Sequence, residues 1–216
     1  MASYAKTKNM FTPKITKEEI NLLPATHFEG KISVIDDNLK IKPAIENLRK
    51  HSVVGIDTET KPCFQKGRYN KMALIQIATL EQCFLFQLQH IDFSDDLVDF
   101  FADKNIRKVG LALKNDISGL SKLNKLNKFK PKNVLDLQSV IKNYGIMELG
   151  LQKIYAILFG QKISKSQQLS NWENSELTEL QQRYAATDAW ACLKIYLRIL
   201  EEKPLSIKEM DNLILE

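Results

Sequence analysis

Apolar and polar positions alternate over Lys31-Ile32-Ser33-Val34-Ile35, the period of two that marks a strand. Asp36-Asp37-Asn38 then offers helix-start residues for a helix that carries Ala44, Ile45 and Leu48 and ends near His51. Val53-Val54-Gly55-Ile56-Asp57 reads as a buried strand, and 72–79 and 83–88 as two more joined by a turn around Glu81-Gln82. A helix over 94–102, a strand over 106–111 and a helix over 115–123 follow. The lysine- and asparagine-rich stretch 123–131 reads as a loop, and Val134-Leu135-Asp136-Leu137 as a short strand. Helices then dominate, at 138–143, 149–159 and 177–201, the last stopped by Pro204. Strands first, and helices interleaved and massed toward the C-terminus, predict a three-layer α/β/α domain around a mixed central sheet.

The first 28 residues are polar, contain Pro13 and Pro24, and are expected to wrap the surface or stay loose. At 216 residues the chain suffices for one sizeable α/β domain with short appendages. No apolar stretch is long enough to span a bilayer. The lysines near Met1 are not followed by the apolar segment of a secretory signal. Cys63, Cys83 and Cys192 are odd in number and far apart, which suits core or loop residues in a reducing cytoplasm better than a disulfide framework. A cytoplasmic location is the expectation.

Charge changes the picture more than composition does. The net charge of +5 is modest, yet residues 104–165 hold thirteen Lys and Arg against three acids, Asp116, Asp136 and Glu148. Such asymmetry fits a polyanionic partner. It equally fits a solvated lysine-rich face, or a surface for an acidic protein.

Four acids stand where a fold ordinarily places apolar or neutral residues. Asp57 and Glu59 are two apart on a strand and so share one face, with Gly55 on that face expected to leave space beside them. Asp188 lies on a helical stripe with Leu180, Tyr184, Ala191 and Ile195, which puts an acid on a core-facing side with the Tyr184 phenol one turn away. Asp116 falls in the first turn of a helix, where capping alone would account for it. Each acid has a structural explanation singly. Buried together they would be costly unless a cation lay among them.

In order, these segments resemble the three exonuclease motifs of the DEDD superfamily, which includes ribonuclease D and the proofreading domains of polymerases. Asp57-Thr58-Glu59 within Val-Val-Gly-Ile-Asp-Thr-Glu-Thr matches the first, Asp116 within Lys-Val-Gly-Leu-Ala-Leu-Lys-Asn-Asp the second, and Tyr184-Ala185-Ala186-Thr187-Asp188 the third. The tyrosine spacing is that of the DEDDy branch; the histidine branch would need His where this chain has Arg183. Lys66-Gly67-Arg68, Met72 to Ala78 and Leu169-Ser170-Asn171-Trp172 further resemble the Werner-syndrome-type exonuclease domain. Ile117-Ser118 departs from the bulkier aromatics that some relatives carry after the second acid.

The resemblance implies a ribonuclease H-like fold and a division into a leader (1–28), an exonuclease domain (29–203) and a tail (204–216). It implies two divalent cations, Mg²⁺ or Mn²⁺, held by Asp57, Glu59, Asp116 and Asp188, with Asp57 shared between them and Tyr184 orienting the attacking water. The implied activity removes nucleoside 5′-monophosphates from the 3′ end of single-stranded or 3′-recessed DNA or RNA, without involvement of a membrane. Lys66, Arg68, Lys165, Ser166 and Trp172 are candidates for phosphate or base contact, and Gln76 is expected to be a structural hydrogen-bonding residue. The competing reading is a nucleic-acid-binding module that keeps the fold and not the chemistry.

Overall fold

The computed structural model describes residues 11–63, 70–123, 129–206 and 210. Six strands form one mixed sheet: β1 (Lys31–Ile35), β2 (Val53–Thr60), β3 (Met72–Ala78), β4 (Gln82–Gln87), β5 (Arg107–Gly110) and β6 (Val134–Asp136). The spatial order is β1-β4-β3-β2-β5-β6. The β2-β3-β4 meander is antiparallel, while β1 joins β4, and β5 and β6 extend from β2, in parallel.

The helices are α1 (Lys17–Leu22), α2 (Ile41–Leu48), α3 (Asp95–Ala102), α4 (Lys114–Leu123), α5 (Leu151–Phe159) and α6 (Glu179–Leu200). Strand alternation sorts the core into two sides. Val54, Ile56, Ile75, Ile77, Phe84 and Phe86 face α2, α3 and α4. On the other face, Leu74, Ala78, Cys83 and Leu85 pack under the alanine-rich half of α6, and Val109 meets α5 and the rest of α6. This is the expected three-layer arrangement. Among the described residues no helix is long and apolar enough to cross a membrane.

Three local expectations change. Residues 137–144 form two short 3₁₀ turns rather than an α-helix, because the Asp136 carboxylate accepts from the Gln138 N–H and left-handed Gly145 ends the run. Within the first 28 residues, Thr16 and Glu19 form a capping box that starts α1, and Phe11, Ile20 and Phe28 are buried. The third concerns Gly55, whose hydrogen leaves room for the backbone of α6 and not for a ligand. A Cβ there would lie 2.0 Å from the Ala189 carbonyl oxygen.

Candidate active site

The close approach at Gly55 seats α6 against β2, so that Asp188 comes down beside the acids of that strand. One carboxylate oxygen from each of Asp57, Glu59 and Asp188 can be chosen so that all three lie within 4.8 Å of one another. Asp57 and Glu59 are half-buried, whereas Asp188 keeps only 7 % of its surface exposed. The sheet register shifts between Glu59 and Thr60, so regular β2-β3 pairing ends at the site.

Asp116 arrives from the other side of the sheet, in the first turn of α4. Thr58, between the two strand acids and alternating to the opposite face, donates its hydroxyl to the Asp116 carboxylate. One tripeptide therefore supplies two acids to the α6 face and a tether for the third. The Asp116 helix is anchored in turn by Asp136, whose carboxylate accepts the backbone N–H groups of Ala112 and Leu113, both at 2.9 Å. Thr58 and Asp136 were not recognised from sequence: a Thr in a strand and an acid ending one are both unremarkable.

The electrostatics are those of negative charge crowded into low dielectric. Burial first, then the Asp188 and Asp116 carboxylates, hold the Asp57 carboxyl far above the usual carboxylate range. Burial first, then the Asp57, Asp188 and Asp116 carboxylates, push Glu59 up to about 10. Asp188 is raised to about 7 by burial, with the Tyr184 hydrogen bond and the Lys165 ammonium opposing. Asp116 is raised by burial and partly relieved by Thr58. Burial, reinforced by Asp188 and Glu59, also raises Tyr184, so its phenol stays protonated and donates to Asp188. A set of carboxylate oxygens that cannot all ionise alone fits hard divalent cations, which would permit full ionisation.

Two hollows open on the acids. One of about 920 Å³ is walled by Thr58, Glu59, Lys61, Lys71, Asp116 and Lys122, and Ser118 also lines it. The other, about 300 Å³, is lined by Asp57, Tyr184, Asp188 and Lys165. Lys165 is thus at the acids, while exposed Ser166 lines a neighbouring hollow of about 400 Å³ between α6 and the segment before β1.

Other candidates are placed differently. Trp172 is fully buried, its ring centroid 5.9 Å from that of Tyr184, so it holds the phenol ring rather than reaching a base. Lys66 and Arg68 lie outside the described residues. Leu180 is 65 % exposed and leaves the core stripe that Tyr184, Asp188, Ala191 and Ile195 continue. Gln76 is fully buried beside Asp57 in register, and among the described residues neither its side-chain oxygen nor its nitrogen has a hydrogen-bond partner, contrary to the expected structural bonding role. The basic run is not one patch: Lys108 is buried, donates to the Asp103 and Lys132 carbonyls, and has its pKa drawn down to about 8 by burial. Lys153 pairs with Glu148 at 3.0 Å.

A mixed sheet carrying acids from β2, α4 and α6 is the ribonuclease H-like architecture of the solved exonuclease domains it superposes on. The Nibbler EXO domain of Aedes aegypti matches with TM-score 0.73 and 23% identity, over 88% of this chain and 100% of that one. Escherichia coli RNase D matches with TM-score 0.69 and 22% identity, over 84% of this chain and 46% of that one. The profile of the 3′-5′ exonuclease family matches residues 32–203, and the chain belongs to that family. Among sequence relatives, an exonuclease mut-7 homolog of Aedes aegypti is 28% identical over 205 residues, 85% of this chain but 28% of the relative. A 3′-5′ exonuclease of Arabidopsis thaliana is 31% identical over 197 residues, 84% of this chain and 67% of the relative. The chain thus spans well under a third of the mut-7 relative's length.

Proposed function

We propose that this chain hydrolyses single-stranded or 3′-recessed DNA or RNA from the 3′ end, releasing nucleoside 5′-monophosphates, with two divalent cations, Mg²⁺ or Mn²⁺. The observation that carries this reading is the convergence of Asp57, Glu59 and Asp188 oxygens within 4.8 Å, with Asp116 tethered beside them. A module that kept only the fold would not need four acids held together at such electrostatic cost.

Asp57, Glu59 and Asp188, whose oxygens converge, would, together with Asp116, hold the two cations. Such a pair, when bound, activates water and neutralises charge on the attacking and leaving oxygens of an in-line displacement. Tyr184, kept protonated, cannot act as a base and instead orients the attacking water through its hydroxyl. Trp172 fixes that ring from behind. Lys165 faces Asp188 and offers positive charge to a phosphate entering the smaller hollow. The larger hollow, with Lys61, Lys71 and Lys122 on its walls, is the size of a nucleotide subsite.

A time course on 5′-labelled DNA and RNA, single-stranded and recessed, with Mg²⁺ or Mn²⁺, tests this. A ladder shortening from the 3′ end, with mononucleotide product and no cutting in chelator, is the expected result. Metal-dependent binding of strands without shortening would favour the binding-module reading.

A further inference from the structure

Asp136 is a fifth acid close to the four already described, yet its lone pairs are directed away from them. One carboxylate oxygen accepts from the Ala112 N–H at 2.9 Å and the Gln138 N–H at 3.0 Å; the other accepts from the Leu113 N–H at 2.9 Å. With its acceptor capacity aimed at backbone, Asp136 is poorly disposed to ligate an ion. What it grips is unusual. Ala112 has φ 58, a left-handed conformation that a residue with a Cβ rarely adopts.

That turn sets where α4 begins. The Leu113 carbonyl accepts the Ile117 N–H at 2.9 Å, so Leu113 is the residue from which the helix departs, and it has no polar side chain to cap its own first turn. Asp136 supplies the charge from across the sheet edge. Asp116 sits in that same first turn, on a helix rather than on a strand of the sheet. Its position therefore depends on two grips, Thr58 on its carboxylate and Asp136 on the turn before its helix. The geometry is tight from below as well, since a Cβ on Gly110 would lie 2.6 Å from the Ile56 carbonyl oxygen in β2.

We infer that Asp136 is a positioning residue for Asp116: it holds a left-handed turn at Ala112 so that the first turn of α4 presents Asp116 to the acids of β2 and α6. This rests on the reading of the four acids as a divalent-cation centre. An Asn at 136 loses the charge and one acceptor, and its amide hydrogens face a backbone N–H. The turn then relaxes toward ordinary backbone and Asp116 withdraws.

The test is direct titration with Mn²⁺, without nucleic acid and well below the melting temperature, reading free Mn²⁺ by electron paramagnetic resonance. Asp136→Asn is expected to weaken Mn²⁺ binding about 10–100-fold, the usual effect of removing a group that orients a ligand. Single-turnover cleavage at saturating Mg²⁺ should slow as well. Adding Ala112→Gly removes the conformational resistance and should recover a factor of about 5, the lower end of what left-handed backbone costs a residue with a Cβ. If Asp136→Asn folds too poorly, the double variant is compared with Ala112→Gly alone, and weaker binding in the double variant supports the assignment. Binding within about twofold of the unsubstituted chain, far short of the expected loss, overturns the role of Asp136 and leaves the cation centre standing. Absence of Mn²⁺ binding in the unsubstituted chain overturns both.

Discussion

The Thr58 hydroxyl donates to the Asp116 carboxylate, tying an acid on α4 to the strand that carries Asp57 and Glu59. The bond lowers the Asp116 pKa against the pull of burial. Thr58→Val keeps the β-branched shape and removes the donor. The expected outcome is a 10–100-fold loss of rate or metal affinity, as for other groups that orient ligands. The acid limb of the rate profile should also move to higher pH, because Asp116 then holds its proton longer. An unchanged pH–rate profile would show that the tether is incidental.

Tyr184→Phe keeps the ring packed on Trp172 and removes only the hydroxyl. If that hydroxyl orients the attacking water, single-turnover cleavage at saturating metal falls by roughly 10²–10⁴-fold, with strand binding nearly unchanged. A purely packing role would leave the rate alone. Loss of the phenol also removes a hydrogen bond that favours ionised Asp188, so the Asp188 pKa should rise from about 7.

Stability without metal has a defined pH trend. Asp188 is raised to about 7 and Glu59 to about 10, each above its unfolded value. Between the unfolded and folded pKa the native state holds more protons, so stability is greatest in acid and falls as pH rises through these values. Divalent metal should reverse the trend and release protons on binding. At 100 times its Kd, metal that binds only the folded state adds about 2.7 kcal/mol, or about 5–10 °C in Tm for a chain of this length. Asp57→Asn should raise the metal-free Tm at neutral pH, abolish most of the gain from metal, and eliminate cleavage. Melting curves from pH 5 to 9, with and without Mg²⁺, check the first two, and a cleavage assay of the same variant checks the third.

Gly55→Ala drives a methyl group into the Ala189 carbonyl. The backbones must separate, at about 1–3 kcal/mol for an overpacked contact. Because α6 carries Asp188, cleavage measured well below the melting temperature should fall further than the loss of stability accounts for. Equal activity per folded molecule would mean that α6 can shift without moving Asp188.

The strand and helix order was legible because strand alternation and helical stripes are local, and most elements fall within a few residues of their expected limits. That Asp57, Glu59 and Asp188 come together was legible from their motifs. The contacts that position them were not. Thr58 and Asp116 are 58 residues apart, and Asp136 reaches Ala112 across 24. Neither pairing leaves a periodic trace. Gly55 was given the right face and the wrong neighbour, since strand alternation tells which side a residue faces but not which backbone lies there. Trp172 stood among the candidates for phosphate or base contact because a Trp in a polar stretch does not reveal that its ring is fully buried. The α1 capping box could have been read from Thr16 and Glu19, ahead of buried Ile20.

The seating of α6 on β2 at Gly55 has a consequence during synthesis. Asp57 emerges from the ribosome early and Asp188 late, an interval on the order of ten seconds at ordinary elongation rates. Until α6 has docked, the acids of β2 lack their partner and the centre is incomplete. On a nascent chain the proposed metal centre is therefore unfinished, and it is assembled only when α6 closes over the sheet.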